Sequence, residues 1–417
     1  MADAFFDNLL KFLYFYPLFM AYLWMIGSVY YYYHWETKDA KDPSDAPALP
    51  YAPRVSLIVP CHNEGDNARE TIKYLVTQDY PDFEVIAIND GSTDNTGEIL
   101  DELMEIYPSL RVVHLAQNQG KAMGLRMGAL ISRSDFFVCV DGDALLDPHA
   151  TTWIMSHMVS SARVAAVTGN PRIRTRSSIL GKLQVGEFSA IIGLMKRAQR
   201  IYGRVFTISG VCAGFRKAAL HRIGYWSTDM ITEDIDISWQ LQLDHWDIRY
   251  EPNALCWILM PESLGGLWKQ RVRWAQGGSE VILKYWRKMF NWKKRRMWPV
   301  FAEYTISVFW AYCMTTTVGL WILGLVFNLP SYLHMPSLMP GWNGIVLAFT
   351  CLLQFGIAMI IDGRYERGLG KFYYWMIWYP IVYWCINVGT TVVAFPKALF
   401  KKKGARAVWV SPDRGLQ

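Results

Sequence analysis

Two hydrophobic patterns divide this chain. Leu9–Tyr33 is an apolar run with a single charge, Lys11, long enough for one helix to cross the roughly 30 Å hydrocarbon core of a bilayer. Three further runs of this kind come late: Pro299–Phe327, Ile345–Ile361 and Phe372–Phe395. Between them the pattern shortens. Val55–Val59, Phe83–Ile88, Arg111–Leu115 and Phe136–Val140 read as buried strands, and Glu64–Thr77, Thr96–Ile106 and Lys121–Ile131 read as the helices among them. Val164–Thr168, Phe206–Ser209 and Leu255–Leu259 extend the strand set. Strands alternating with helices predict an α/β domain with a doubly wound, mostly parallel sheet.

The patterns divide the chain into six segments. An N-terminal membrane helix covers 1–36, a Pro-rich linker 37–53 and the α/β domain 54–260. An amphipathic interfacial region covers 261–296, membrane helices 297–396 and a basic tail 397–417. A cleaved signal peptide fits the first run poorly. Its apolar core is too long, Asp3 and Asp7 precede it, and Tyr30–Trp35 is an aromatic belt suited to a membrane interface.

Hydrophobic residues make up 52% and charged residues 19%, too apolar for an ordinary soluble enzyme and too charged for a pure transporter. The seven cysteines show no metal-ligand spacing and read as small buried hydrophobes. The net charge is only +6, but the placement of the cations is informative. Lys284, Arg287, Lys288 and Lys293–Arg296 precede one apolar run, and Lys397, Lys401–Lys403 and Arg406 follow the last. Basic clusters abutting spans mark the cytoplasmic side of a bilayer and argue against a nucleic-acid surface. Asn328–Asn343 has no Lys or Arg and belongs outside; Asp362–Lys371 belongs inside. Three full crossings after a cytoplasmic domain would leave the basic tail outside, against the charge rule. Two solutions stay open: Pro380 breaks the last run into a re-entrant pair, or Pro299–Phe327 does not cross.

Acidic clusters follow the strands. Asn89-Asp90-Gly91-Ser92 comes after the second strand and Asp141-Gly142-Asp143 after the fourth, with Thr232-Glu233-Asp234 and Gln270-Arg271-Val272-Arg273-Trp274 further on. In open α/β sheets, ligands bind at the carboxyl ends of the strands. Carboxylates gathered there need a metal or a proton to relieve their repulsion. Gly142 permits the turn that lets Asp141 and Asp143 point alike, toward Mg2+ or Mn2+ on a diphosphate. Neither a GxGxxG nor a GxxxxGK[ST] loop is present, so metal and basic side chains must hold any phosphates.

Val59-Pro60-Cys61-His62-Asn63-Glu64, Asn89–Asp94, Asp141–Asp143, Thr232–Asp234 and Gln270-x-x-Arg273-Trp274 stand in the order seen in processive family 2 glycosyltransferases. The chain resembles these membrane synthases of cellulose, chitin, hyaluronan and poly-N-acetylglucosamine from about Val55 to Trp274. Phe12–Pro17 and Trp24–Tyr30 are most similar to the bacterial poly-β-1,6-N-acetyl-D-glucosamine synthases. The resemblance implies a GT-A-like domain, cytoplasmic at the bacterial inner membrane, with UDP-N-acetylglucosamine as donor and a growing β-linked polysaccharide as acceptor. For some members it also implies a small membrane accessory subunit, with cyclic di-GMP bound between the two. The rivals are a hyaluronan or chitin synthase, a non-processive lipid-linked sugar transferase, and a transporter with a regulatory domain. Against the last, Glu303 is the only acid within the later spans and no repeat is visible.

The resemblance also implies roles. Asp90 accepts hydrogen bonds from the uridine, and Pro60, Asn63 and Glu64 line the nucleotide slot. Asp141 and Lys121 contact the diphosphate, and Asp143 ligates the metal. Asp234 is the general base and Glu233 supports the acceptor side. Trp274 is a platform for the acceptor sugar, with Gln270 and Arg273 between acceptor and donor. Ser209, Gly210 and Cys212 form an acceptor-side loop, joined by Thr168-Gly169-Asn170. Trp409–Arg414 is similar to a gating segment whose Arg414 reaches the diphosphate.

Overall fold

The structure, a computed structural model, describes residues 2–37, 42–330, 333, 341–402, 404 and 406–407. Helix α1 (Ala2–Tyr31) runs on through a π-helical turn, Tyr32–Glu36, toward the α/β domain. There β1 (Val55–Cys61), α2 (Ala68–Val76), β2 (Phe83–Asp90), α3 (Thr96–Ile106), β3 (Leu110–Leu115), α4 (Lys121–Ile131) and β4 (Phe136–Val140) alternate. A short β5 (Leu145–Leu146), α5 (Ala150–Ser160) and β6 (Val164–Ile173) follow. Helix α6 (Ile179–Phe188) continues through a π-helical stretch, Ser189–Leu194, into α7 (Met195–Tyr202). The domain closes with β7 (Cys212–Arg216), α8 (Lys217–Ile223), α9 (Glu233–Leu243) and β8 (Asp247–Ile258).

The eight strands form one sheet in the order β3-β2-β1-β4-β7-β6-β8-β5. β1, β4 and β6 are buried along their length, as expected of strands covered on both faces; β4 is a continuous apolar run, β1 is interrupted only by Ser56, and β6 also buries Thr168, Asn170 and Arg172. The pairings of β1 with β2 and β4, of β2 with β3, and of β6 with β8 are parallel. Those of β7 with β4 and β6, and of β5 with β8, are antiparallel. The expected mostly parallel sheet is therefore present, with an antiparallel strand inserted at its centre.

Three strand expectations need correction. Val164–Thr168 is the start of a longer strand, β6, and Leu255–Leu259 overlaps the end of another, β8. Phe206–Ser209 is not a strand at all: side chains take its backbone donors. Val205 N donates to Gln242 Oε1 (3.1 Å), Phe206 N to Gln199 Oε1 (2.9 Å), Ile208 N to Ser238 Oγ (2.9 Å) and Ser209 N to Thr168 Oγ1 (2.8 Å). Buried amides must be paired, and here distant polar side chains replace a strand ladder.

Beyond the sheet come α10 (Leu264–Tyr285), α11 (Trp298–Val326), α12 (Gly341–Asp362) and α13 (Tyr379–Leu399). By length and composition, Phe6–Glu36, Trp292–Val326 and Asn343–Asp362 are each able to cross a membrane. The fourth apolar run is bent by 79° between Leu369–Ile377 and Val382–Leu399. Its second arm starts and ends beside the α/β domain: Tyr379 OH donates to Glu187 Oε2 (2.8 Å), and Lys401 Nζ reaches Glu280 Oε2 (2.8 Å) and the Asp229 carbonyl (2.5 Å). Gly389 lies against the Trp268 ring, so α13 runs alongside the amphipathic α10 in the same direction. The bend falls around Pro380, where one of the two open solutions breaks the run, and Lys401 of the basic tail contacts Glu280 of α10.

A buried charge cluster fastens the helices to the domain. Arg197 of α7 donates to Glu36 Oε1 (2.6 Å), at the end of the first span, and to Asp362 Oδ1 (2.9 Å), at the end of α12. Arg172 of β6 donates to Asp362 Oδ2 (2.8 Å).

Candidate active site

The registers bring the acidic motifs to one edge. Cys61 pairs with Asn89 across β1 and β2, which levels the ends of the two strands. His62 Nδ1 then donates to the Asp90 carbonyl (2.8 Å), which leaves Nε2 to accept from Asn118 Nδ2 (3.0 Å). Asp90 itself is fully buried. Its Oδ1 accepts from the Gln119 amide (2.7 Å) and its Oδ2 from the Gly120 amide (2.8 Å), so it holds the loop that leads into α4. Gly120 has φ 89°, a conformation open to glycine, and it starts α4 so that Lys121 points inward.

Lys121 is the hub. Its Nζ lies 2.5 Å from Asp141 Oδ1 and 3.0 Å from Glu233 Oε1, and it donates to the Gly210 carbonyl (3.3 Å). One ammonium thus joins the end of β4, the first turn of α9 and the 209–211 loop. Burial disfavours that ammonium, but Asp141 and Glu233 outweigh it and raise the lysine pKa. Burial pushes Asp141 up to about 6, aided by Asp143 and opposed by Lys121. Asp234 is likewise pushed up to about 6, by burial and by its neighbour Glu233, against the pull of Lys121. Glu233 is held below the usual range because Lys121 outweighs its burial. Gly210 packs directly against Asp234.

Gly142 is required for a different reason from the one expected. A side chain there would press on Glu64 Cγ and the Pro60 carbonyl, at 3.0 and 3.1 Å, so its smallness lets the Asp141–Asp143 turn pack against the end of β1. Asn63 adopts φ 55° and accepts from Thr93 N (2.8 Å) through Oδ1. Pro60 and Glu64 are buried beneath this turn.

On the acceptor side, Trp274 is half-buried, packs against Phe188 (6.1 Å between ring centres), and has the Arg271 guanidinium 4.3 Å from its ring centre. Arg271 in turn contacts Glu187 at 3.0 Å. Gln270 Oε1 is buried without a hydrogen-bond partner, and its Nε2 donates to Met260 Sδ (3.7 Å). Arg273 is exposed, and its charge is felt by both Glu233 and Asp234. Ser209 Oγ accepts from Lys196 Nζ (2.6 Å), which also donates to Thr168 Oγ1 (2.9 Å). Burial pushes Lys196 down to about 7, with Asp234 opposing it.

The structure therefore brings Lys121, Asp141, Glu233, Asp234 and Gly210 together, with Asp143, Arg273 and Ser209 bordering them. Cys212 is fully buried in β7 behind Gly169, and Asp90 lies below the surface of the slot. Arg414 and the segment Trp409–Arg414 fall outside the described residues. The tail before them does reach the slot: Ala407 N donates to the Thr228 carbonyl (2.9 Å), Arg406 donates to Gln119 Oε1, and a side chain on Gly120 would collide with the Ala407 carbonyl. His62, Lys196 and Arg271 were not singled out from the sequence. His62 and Arg271 sit inside quoted motifs, but Lys196 carries no local signal.

No group of three or more His, Cys, Asp or Glu side chains able to ligate a metal occurs among the described residues. The donor set still fits a divalent cation that completes its shell with phosphate oxygens and water. Asp141 and Asp143 stand two residues apart at the end of β4, and the Lys121 ammonium lies 2.5 Å from Asp141 Oδ1, so a cation there would rely on Asp143 and on phosphate oxygens for much of its shell.

Residues 53–277 match the family described as Glycosyltransferase like family 2. The chain is 40% identical over 408 residues to a poly-beta-1,6-N-acetyl-D-glucosamine synthase of Staphylococcus epidermidis, covering 98% of this chain and 99% of that relative. It is 41% identical over 408 residues to the synthase of the same name from Staphylococcus aureus strain MSSA476, covering 97% and 98%. Among solved structures it is similar to a mannosyltransferase from Pyrobaculum calidifontis in complex with GDP-Man and Mn2+. That match has a TM-score of 0.63 and 20% identity over 94% of this chain and 100% of the other, which establishes a shared GT-A-like fold. By its motifs, its sheet and its full-length similarity, the chain belongs to the family 2 glycosyltransferases, in the group of poly-β-1,6-N-acetyl-D-glucosamine synthases.

Proposed function

We propose that this enzyme polymerises N-acetylglucosamine from UDP-N-acetylglucosamine into a β-1,6-linked polysaccharide at the cytoplasmic face of a bacterial inner membrane, and passes the chain across. The observation that carries this reading is the Lys121 bridge between Asp141 and Glu233, with Asp234 beside it. Asp234 takes the proton of the acceptor hydroxyl as its oxygen bonds to the anomeric carbon. The bond from that carbon to the diphosphate breaks, and UDP leaves with the electron pair. One backside displacement of an α-linked donor gives a β-linked product. Trp274 offers the acceptor sugar the ring face opposite Arg271, and Gln270 Oε1 accepts a hydroxyl. Lys121 and Arg273 face the diphosphate. Asp143, with Asp141, would hold Mg2+ or Mn2+, which when bound neutralises charge on the leaving diphosphate. The contact of the Ala407 carbonyl with Gly120 supports a role for the tail in closing over the donor.

The test is synthesis by the purified chain. Radiolabelled UDP-N-acetylglucosamine alone should give long β-1,6-linked polymer, resolved by chain length and by NMR of the linkage. Polymer that forms only when UDP-glucuronate is added would favour a hyaluronan synthase, and a single sugar on a lipid would end the processive reading. Dependence on an accessory subunit and cyclic di-GMP is part of this proposal through the resemblance alone. Full activity of the isolated chain, unchanged by cyclic di-GMP, would remove it.

A further inference from the structure

Away from the strand edge, a cavity of about 280 Å³ lies where the start of β6 meets the ends of α7 and α9 and the turn before α11. It is lined by Arg163, Arg204, His245, Lys293, Arg295 and Arg296. Five of these six are permanent cations. Among the described residues, only Arg204 has a carboxylate within ion-pairing distance, Asp247 at 3.5 Å, and that carboxylate also serves Arg200 (2.8 Å) and Arg249 (3.6 Å). Lys294 adds a further charge at the rim, where its ammonium donates to His245 Nε2 (3.3 Å). Burial, Lys294 and Arg204 together keep His245 toward its neutral form, so even the titratable member yields no compensating interaction. Arg204 is itself buried, so part of this charge is drawn inside the protein. Like charges gathered this way repel one another until an anion joins them.

The surroundings indicate what carries the anion. Lys293, Arg295 and Arg296 belong to a 3-10 turn, Trp292–Met297, that leads straight into the span α11. Phe290 and Trp292 are 80% and 66% exposed, and Trp286 and Trp298 are exposed beside them. Arg295 lies over the Trp292 ring, 5.3 Å from its centre. Aromatic rings left bare next to cations at the mouth of a membrane helix suit the headgroup level of a bilayer, where a ligand has an anionic end and an apolar one. A soluble phosphate would use the cations and leave the rings uncovered.

We propose that this cavity binds the phosphate-bearing head group of an anionic phospholipid, with the neighbouring indoles among its acyl chains. The site is separate from the sugar-transfer cluster and does not depend on which sugar is polymerised. It does rest on α11 being a membrane span.

The test uses the full chain in detergent with saturating UDP, so that the transfer site is filled. Dioctanoyl phosphatidylglycerol, dioctanoyl phosphatidylcholine and inorganic phosphate are titrated separately, and bound copies are counted by native mass spectrometry. One copy of phosphatidylglycerol should bind saturably and far more tightly than the other two. The triple variant Arg163→Ala, Lys293→Ala, Arg296→Ala should weaken it by about 100-fold, at roughly 5-fold per cation. These three side chains are exposed, so the fold should tolerate the changes. The charge-keeping variant Arg163→Lys, Lys293→Arg, Arg296→Lys should retain binding. Arg287→Ala with Lys288→Ala, cations on the same face but outside the cavity, should leave it unaltered. The proposal fails if this control pair loses as much as the triple variant, if the triple variant binds normally, or if phosphatidylcholine competes equally. Inorganic phosphate binding as tightly as the lipid would overturn the lipid as the source.

Discussion

Arg271 stacks its guanidinium on Trp274, 4.3 Å from the ring centre, and both residues lie on α10 within one turn of each other. Arg271 is held from behind by Glu187 of α6, which also accepts from Tyr379 at the start of the re-entrant helix. Trp274 is therefore oriented by a three-helix contact, and in the proposed mechanism Arg271 acts on the acceptor sugar through Trp274. Arg271→Lys keeps the charge for Glu187 but loses the planar stack, an interaction on the order of 2 kcal/mol when desolvated. Elongation should fall by roughly 10-fold or more, while hydrolysis of the donor to UDP and free sugar falls much less. Trp274→Ala should show the same split more strongly. Equal loss of both reactions in the lysine variant would remove the positioning role.

The shared ammonium of Lys121 gives the transfer a specific pH signature. Asp234 and Asp141 both stand at about 6, so the acidic limb of kcat/KM should lie near pH 6, with activity lost as pH falls and the base becomes protonated. Because the carboxylates interact, the limb belongs to the cluster. Lys121 pulls Asp234 down and Glu233 pushes it up. Lys121→Met should therefore move the limb to higher pH and Glu233→Gln to lower pH, each by roughly one pH unit. Asp234→Asn should abolish turnover and leave UDP binding nearly intact. Limbs that move in the same direction in both charge variants would place the base elsewhere.

What was legible in the sequence was whatever depends on neighbours along the chain. The apolar runs of β1, β2 and β4 announced buried parallel strands, and the turn residues after them announced the acidic edge. Phe206–Ser209 misled because its ladder was replaced by acceptors on Gln199, Gln242, Ser238 and Thr168, as far as 41 residues away. Lys196 was invisible for the same reason: its meaning comes from burial beside Thr168 and Ser209, not from its sequence context. Gly142 lies in the expected turn, closed by Ala144 N on the Asp141 carbonyl (3.1 Å), but its close approach to Pro60 and Glu64 could not be read from the sequence. The contact between Lys401 and Glu280 could not be read from hydropathy, because a bent pair of helices and a single span have the same composition.

Divalent metal should matter more for the nucleotide than for the fold. Asp141 is paired with Lys121, and Asp143, two residues on and partly exposed, is the proposed metal ligand. Asp143→Ala should cost about 10-fold or more in UDP affinity measured by calorimetry with Mn2+, equivalent to roughly 1.4 kcal/mol. Without metal, the wild-type and variant affinities should coincide. Removing metal with a chelator should leave the melting temperature of the nucleotide-free protein unchanged. A large drop on chelation would indicate a structural metal instead.

The Glu36–Arg197–Asp362 cluster predicts where the membrane helices separate from the domain. Arg197 is fully buried and its guanidinium bridges Glu36, beyond α1, and Asp362, at the end of α12. Arg197→Met keeps the volume but leaves Glu36 with Tyr365 and Asp362 with Arg172 as their remaining charged or hydroxyl partners. Stranding buried carboxylates in this way typically costs about 3–5 kcal/mol, so the apparent melting temperature in detergent should drop markedly. Adding Glu36→Gln removes one of the stranded charges and should recover part of the loss, because the penalty comes from unpaired charge and not from missing packing. Proteolysis in the 37–53 connection should accelerate in the single variant and slow again in the double. If the double variant is less stable than the single, the pair contributes through packing, and the electrostatic account of this junction fails.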